Sequence, residues 1–359
     1  MKDEFYYVST ASFEAARKVE ILPEGHRARN LHGHSFQARM VCHDQEGKDQ
    51  LQYSKTQHKK FKEAANKLDY SYLNDTVSIP TDENLARWFR DQLKGNKLST
   101  MGVQSAIDQG IDIDPRNVAH TWCKFRFEAS HKLPNVPDGH QCGRMHGHGF
   151  EVIIHVKEDV EGKELGIDFD KIRSAWTPLF ETLNNNCLND IETLENPTSE
   201  MLSTWIWKEL KLILKNLSWV TVYETSTAGC HFDGTIYRIW KEFKFESAIL
   251  NKEDSFVKNI TGHSYTVRLH LTAPLDIYMG WTIDYGDVKE IFKPIYNRLD
   301  HHYLSEIEGL YDSNLKSILF WIKNELIKNS TYFDRIDISE TPEFGASLSW
   351  GEHEYALPI

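Results

Sequence analysis

Residues 127–133 read FEASHKL and residues 145–150 read MHGHGF, and both stretches occur three times in the chain. The related stretches are FEAARKV at 13–19, FESAILN at 245–251, LHGHSF at 31–36 and ITGHSY at 260–265. A third landmark recurs as LDYSYLND at 68–75, LNNNCLND at 183–190 and LDHHYLSE at 299–306. The period is about 120 residues, which is the size of a domain and far longer than a solenoid repeat. These repeats indicate three related units.

Each unit has the pattern of two strands, two helices and two further strands. We expect an α+β fold of three tandem ββααββ units, at residues 1–118, 119–239 and 240–359, with the helices on one face of an antiparallel sheet. Thr81 and Ser199 are the candidate N-caps of two matching helices. Because no Pro/Gly/Ser-rich linker separates the units, we expect them to be joined strand to strand.

The composition is that of a globular protein rather than a disordered one, with 40% hydrophobic and 26% charged residues. A net charge of -12 argues against a nucleic-acid partner. The five cysteines include no CxxC pair, which favours free thiols in a reducing compartment. The sequence shows neither a signal peptide nor an apolar run near the roughly 18 residues of a membrane span. We therefore expect a soluble cytoplasmic protein without a membrane partner.

Three histidines of the middle unit can meet on one face of the sheet. His146 and His148 are two apart at the start of a strand, so they share a face, and His131 ends the preceding strand. Three imidazoles with one open position are typical of catalytic zinc, although iron, nickel and copper also accept nitrogen ligands. Cys142 could close the site as a fourth ligand, or act beside the metal as a base or nucleophile with a lowered pKa. A polar loop with solvated histidines is the plain alternative.

The middle unit alone keeps all three histidines. In the first unit His32 and His34 are present, but Arg17 stands in place of the outer histidine. An arginine stays protonated and cannot ligate a metal. In the third unit Ile249 and Thr261 replace two of the three histidines. The sequence therefore predicts one metal site in the chain.

The segments FEASH, CGRMHGHGF and VYET of the middle unit resemble the 6-pyruvoyltetrahydropterin synthase and 6-carboxytetrahydropterin synthase family, which has the tunnelling fold. The resemblance extends over the whole chain as three copies and is weakest in the first. It implies that the three units close into one antiparallel barrel with the helices outside, similar to a covalent trimer. Two barrels stack head to head in the family, which implies a homodimer of this chain.

The resemblance also implies a chemistry. The substrate would be the small molecule 7,8-dihydroneopterin triphosphate, with magnesium often needed for the triphosphate. Zinc would be held by His131, His146 and His148, and Cys142 would move protons at the side-chain carbons of the substrate.

The aspartate–histidine pair that assists the cysteine in this family is kept only in the third unit, as Asp300 and His301. The metal ligands and the cysteine are kept only in the second unit, so the surviving residues are complementary. Since the family's active sites lie between adjacent subunits, the resemblance implies one composite site between units two and three. The glutamate that anchors the pterin ring would be Glu224 or Glu340.

The interval between Cys142 and His146 is more similar to that of the bacterial 6-carboxytetrahydropterin synthases of the queuosine and 7-deazaguanine pathway than to that of the animal enzymes. We therefore expect a zinc-dependent lyase that forms 6-carboxy-5,6,7,8-tetrahydropterin. The alternatives are a 6-pyruvoyltetrahydropterin synthase of the biopterin pathway, a pterin-binding module without turnover, and an assembly scaffold.

Overall fold

The computed structural model describes residues 3–44, 50–93, 98–158, 166–251 and 259–351. Its helices and strands fall into three groups of seven with the same order, which we call units one, two and three. Unit one comprises β1 (Glu4–Arg17), β2 (His32–His43), α1 (Gln50–Asn66), β3 (Ser71–Tyr72), α2 (Asp82–Gln92), β4 (Leu98–Ala106) and β5 (Gln109–Ile113). Unit two comprises β6 (Ala119–His131), β7 (His146–Lys157), α3 (Phe169–Leu183), β8 (Asn186–Cys187), α4 (Ser199–Ile213), β9 (Leu217–Thr225) and β10 (Ala228–Phe232). Unit three comprises β11 (Tyr237–Asn251), β12 (Asn259–Thr272), α5 (Tyr285–Leu299), β13 (His302–Tyr303), α6 (Leu315–Leu326), β14 (Phe333–Thr341) and β15 (Phe344–Ser349).

The twelve long strands form a closed antiparallel ring. Around the ring the order is β10-β9-β7-β6-β5-β4-β2-β1-β15-β14-β12-β11, and β11 pairs again with β10. The units meet at three strand pairs, which are β5 with β6, β10 with β11, and β15 with β1. Closure gives every long strand two neighbours and removes the exposed edges of an open sheet. The expected α+β class and the barrel of three ββααββ units are confirmed.

Each unit packs its two helices against the outer face of the ring. In unit two, the rings of Phe127 on β6 and Phe150 on β7 are stacked, with their centroids 5.1 Å apart, and lie in the core with α3 and α4. The equivalent stacked pairs are Phe13 with Phe36 at 4.9 Å and Phe245 with Tyr265 at 5.1 Å. The aromatic residues of the sequence landmarks are therefore core residues that fix the register of the first strand pair in each unit.

The inner face of the ring is polar, because successive side chains of a strand point to opposite faces. Ion pairs cross this face: His270 pairs with Asp337 on the neighbouring strand at 2.7 Å, whereas Arg39 reaches Asp112 at 2.7 Å and Arg238 reaches Asp334 at 2.9 Å, each across one intervening strand. Each long strand thus has one side in the core and one side in a buried polar layer.

The second helices of units one and two begin at side-chain caps. Thr81 accepts a backbone N–H of the first turn of α2 at 3.3 Å, which confirms it as the N-cap. At α4 the cap is Thr198, which accepts a first-turn N–H at 3.1 Å, so the prediction of Ser199 is wrong by one residue. Ser199 faces β9 instead, and its hydroxyl donates to Glu224 at 2.6 Å. No helix in the described ranges is long and apolar enough to cross a bilayer.

Candidate active site

Three histidine side chains meet where β6 ends and β7 begins. His131 lies opposite His146 in the antiparallel register, and His148 lies opposite Ala129 two positions along. Since residues two apart on a strand share a face, His146 and His148 point to the same side. The ring centroids are 4.5 Å apart for His131 and His146, 5.2 Å for His131 and His148, and 5.1 Å for His146 and His148. The structure thus brings the three predicted ligands together.

The hydrogen bonds of this cluster direct lone pairs inward. His131 Nδ1 lies 3.0 Å from the carbonyl oxygen of Pro197, and His146 Nδ1 lies 2.7 Å from that of Arg144. A carbonyl oxygen only accepts, so the proton is on Nδ1 and the lone pair is on Nε2. The Nε2 atoms of His131 and His148 are buried without a hydrogen-bond partner. Burial lowers the pKa of both rings, which favours the neutral form that a metal requires.

The residues of the cluster fit a zinc ion. One ligand atom each from His131, His146, His148 and Glu224 lies within 4.8 Å of the others. Imidazole nitrogens with a nearby carboxylate oxygen are the ligands that zinc prefers in proteins. Buried lone pairs without a partner are costly, and a bound cation would satisfy them.

Glu224 on β9 is the glutamate that lies beside the three histidines. Its Oε1 is 3.5 Å from His148 Nε2, and its Oε2 accepts the hydroxyl of Ser199 at 2.6 Å. Glu340 on β14 lies beside His263 of unit three, with 3.4 Å between Oε1 and Nδ1. The two candidate anchors for the pterin ring therefore occupy equivalent positions in two different units.

Cys142 lies half-buried in the loop between β6 and β7. Its thiol belongs to neither of the two groups of mutually close potential metal-ligand atoms found in the described part of the chain. Its carbonyl accepts the N–H of Leu133 at 2.8 Å, and its own N–H donates to His140 Nδ1 at 3.2 Å. Burial raises the pKa of the thiol to about 11, and the charges of Glu224 and Asp284 add to the rise. The surrounding protein groups alone thus favour the protonated thiol over the thiolate. The lowered pKa expected from the sequence would need the charge of a bound cation.

Unit three contributes residues 276–284, which connect β12 to α5, to the border of this site. Asn196 of unit two donates to the carbonyl oxygen of Met279 at 2.7 Å. Thr282 donates to the carboxylate of Glu200 through its N–H at 2.7 Å and through its hydroxyl at 2.9 Å. Burial raises the pKa of Glu200 to about 7. These contacts between the units were not predicted from the sequence.

Asp300 and His301 follow α5 and are held to β11 of their own unit. Asp300 Oδ1 accepts the N–H of Glu246 at 2.9 Å, and Asp300 Oδ2 is 2.9 Å from His301 Nδ1. The side chain of His301 is 77% exposed. Within the described residues, no hydrogen bond, ion pair or ring contact joins this pair to the three histidines. Within one chain, the hydrogen bonds between units three and two described above involve residues 276–284, and the role of Asp300 and His301 stays a prediction.

The position of this aspartate has the same structural role in every unit. The N–H of Glu14 donates to Asp69 at 2.8 Å, and the N–H of Glu128 donates to Asn184 at 3.0 Å. Any side chain with an oxygen at this distance can accept that bond, so an asparagine serves in unit two. This position of the motif therefore ties the end of the first helix to the first strand of each unit, besides offering a candidate catalytic acid in unit three.

Unit one has an arginine where unit two has His131. Arg17 Nη1 donates to the carbonyl oxygen of Pro80 at 2.9 Å and to Asp82 at 2.6 Å, and Nη2 is 3.3 Å from His34 Nε2. The hydroxyl of Ser105 donates to the second oxygen of Asp82 at 2.6 Å. In unit two the serine is on the helix and the acid is on the strand, as Ser199 and Glu224. In unit one the acid is on the helix and the serine is on the strand, as Asp82 and Ser105. A cavity of about 640 Å³ lies beside this arrangement, between units one and two.

The fold and the site define a class of protein: a closed ring of three repeats with a cluster of three histidines near one unit boundary. The family described as 6-pyruvoyl tetrahydropterin synthase matches residues 7–106, 120–235 and 238–350. The chain belongs to this enzyme family.

Individual relatives match one unit's length of the chain. The 6-carboxy-5,6,7,8-tetrahydropterin synthase of Synechocystis sp. is 36% identical over 116 residues, which are 30% of this chain and 88% of that protein. The dihydroneopterin monophosphate aldolase of Pyrococcus furiosus is 27% identical over 91 residues, which are 24% of this chain and 78% of that protein. The solved structure of Caenorhabditis elegans 6-pyruvoyl tetrahydropterin synthase has 21% identity and a TM-score of 0.28, and the match covers 30% of this chain and 90% of that one.

Proposed function

We propose that the chain converts 7,8-dihydroneopterin triphosphate to 6-carboxy-5,6,7,8-tetrahydropterin at one zinc-dependent site in unit two. The observation that carries the proposal is the convergence of His131, His146 and His148, with inward lone pairs, next to the loop of Cys142. Membership of the family supports a pterin substrate. The Synechocystis relative, by its name, supports the carboxylated product.

The residues of the cluster suit distinct tasks. His131, His146 and His148 would hold zinc, which when bound polarises a substrate hydroxyl or carbonyl and makes the adjacent C–H bond more acidic. Cys142 would take and return the proton at that carbon. Glu224, oriented by the hydroxyl of Ser199, would accept hydrogen bonds from the guanidine-like edge of the pterin.

We further propose that Asp300 and His301 act at the site of a second copy of the chain. Asp300 fixes His301 through Nδ1, which leaves Nε2 of the exposed ring available for proton transfer. Because the pair is anchored to β11 of its own unit, a homodimer is the assembly that would place it beside the partner's Cys142.

Mass analysis of products tests the reaction. Purified chain is incubated with zinc, magnesium and dihydroneopterin triphosphate, and His131→Ala serves as the control that lacks a ligand. Acetaldehyde together with the carboxylated tetrahydropterin is the expected result. A 6-pyruvoyl product would place the chain in the biopterin pathway instead. Zinc binding without any product would refute the proposed turnover and favour a pterin-binding module.

A further inference from the structure

We infer that His140 and Asp284 form a positioning pair that holds the loop of Cys142 across the boundary between units two and three. The inference rests on the proposed role of Cys142. It concerns two residues that are not among the expected zinc ligands.

The geometry defines the protonation of the His140 ring. Its Nε2 lies 3.0 Å from Asp284 Oδ2, and its Nδ1 accepts the backbone N–H of Cys142 at 3.2 Å. A carboxylate only accepts and an N–H only donates, so a single tautomer with the proton on Nε2 satisfies both contacts. Asp284 therefore orients the imidazole, and the imidazole in turn fixes the backbone at the cysteine.

Asp284 is itself held in place. It is the N-cap of α5, and its Oδ1 accepts the N–H of Gly286 at 2.6 Å, which leaves Oδ2 for His140. The ring of Trp281 lies beside the imidazole, with 6.0 Å between centroids. The preceding residues are tied to unit two through the bonds of Asn196 and Thr282 described above. Unit three thus presents a rigid acceptor to the cysteine loop of its neighbour.

Unit one contains a looser counterpart of this link, without a cysteine and without a hydrogen bond from the histidine Nε2. His26 Nδ1 accepts the N–H of Ala28 at 3.1 Å, and its Nε2 lies 3.4 Å from Asp168 and 3.5 Å from Asp170 of unit two. Asp168 caps α3 as Asp284 caps α5. Because Ala28 stands where unit two has Cys142, a variant of His26 reports the structural effect of the link alone. This internal repeat supplies a matched control.

The test compares His140→Ala with His26→Ala in a Cys187→Ser background, since Cys187 is the other half-buried thiol and the remaining three are buried. The first readout is the rate at which iodoacetamide modifies Cys142 in the zinc-loaded protein, measured by peptide mass analysis. We expect His140→Ala to raise this rate at least about fivefold, because the loop loses its anchor. His26→Ala should leave it unchanged, and both variants should retain one zinc per chain.

The second readout is turnover. We expect His140→Ala to lower kcat roughly 10- to 100-fold with little change in KM, because the cysteine is displaced while the substrate site is kept. His140→Asn should restore much of the rate, since its Oδ1 can accept the N–H of Cys142. Asp284→Ser, which keeps a capping oxygen but is too short to reach His140, should resemble His140→Ala.

Equal alkylation rates in the His140 and His26 variants would overturn the inference, whatever the turnover. A wild-type chain without turnover would overturn the proposed function instead, and the alkylation experiment would still decide whether the pair positions Cys142.

Discussion

Arg17 and His131 stand at equivalent positions of units one and two, and both donate to the carbonyl oxygen of the proline that precedes the second helix. The distances are 2.9 Å to Pro80 and 3.0 Å to Pro197. The shared bond places the guanidinium of unit one where unit two presents an imidazole lone pair. In unit one a permanent positive charge thus stands in place of the zinc that we propose for unit two, and the buried carboxylate of Asp82 neutralises it.

This replacement predicts that one substitution creates a second metal site. Arg17→His would complete a three-imidazole set with His32 and His34, and we expect the zinc content to rise from one to two per chain. Without zinc, the variant should lose roughly 3–5 kcal/mol of unfolding free energy, because Asp82 loses its buried partner. Elemental analysis by mass spectrometry and denaturant unfolding measure the two effects.

The control is Ile249→His in unit three. That unit also has Thr261 in place of a histidine, so the single substitution gives two imidazoles and should bind no additional zinc. A zinc content that stays at one in Arg17→His would contradict the view that the arginine excludes the metal.

Substitutions of Glu224 and Glu340 should differ in their effect on kcat/KM. Glu224→Gln removes the charged acceptor beside the histidines, and we expect kcat/KM to fall roughly 100-fold because a buried hydrogen-bonding edge of the pterin loses its partner. Glu340→Gln is the matched variant in unit three and should leave kcat/KM nearly unchanged. Equal losses in the two variants, measured by steady-state kinetics, would show that both glutamates serve the working site.

Mixing two inactive chains tests where the aspartate–histidine pair acts. Cys142→Ala and His301→Ala should each abolish turnover while keeping one zinc per chain. If the pair serves the partner's site, refolding or subunit exchange of an equal mixture should restore about a quarter of the wild-type activity, because half of the dimers are mixed and each has one complete site. Activity that stays absent in confirmed mixed dimers would place the pair and the cysteine in one chain.

The stability of the chain should depend on pH through Glu158. Burial raises the pKa of this carboxyl from 4.5 to about 8, and the adjacent Glu83 adds to the rise. The protonated acid therefore stabilises the fold below about pH 4.5, and this contribution is lost as the pH rises through 8. Glu158→Gln should match the wild type near pH 5 and exceed its unfolding free energy near pH 9 by on the order of 2–4 kcal/mol.

Urea unfolding at the two pH values measures this difference, and Glu181→Gln on the exposed face of α3 is the control. If the unfolding free energies of the Glu158 variant and the wild type differ by the same amount at both pH values, the result would argue against a raised pKa of Glu158. The control should show no pH-dependent difference.

The repeats predicted the three α+β units and the histidine cluster because both depend on local spacing, whereas the closed ring was implied by the resemblance to the family. The distance from His131 to His146 equals that from Arg17 to His32, and alternation on a strand determines which rings share a face. The contacts between units could not be read in this way, because they join residues far apart in the chain. The link from His140 to Asp284 is one example, although the recurring LPEGH at 22–26 and VPDGH at 136–140 carried a signal of it.

Two further differences have local causes that spacing does not reveal. Thr198 and Ser199 are both good capping residues, and the choice between them depends on which one faces the carboxylate of Glu224. In unit one the acid moved from the strand to the helix, as Asp82, while Ser105 took the strand position. The strand sequence of unit one therefore shows no acid at this position, although the acid is present on the helix.

The pairing of β1 with β15 closes the ring between residues such as Tyr7 and Ala346, near opposite ends of the chain. During synthesis, the barrel cannot close until the last strand has left the ribosome. Until then β1 and β14 each present an unpaired edge that can add a strand from another molecule. A frameshift or stop codon before residue 344 would leave that state permanent, so we expect such a product to aggregate even though every proposed zinc ligand is present.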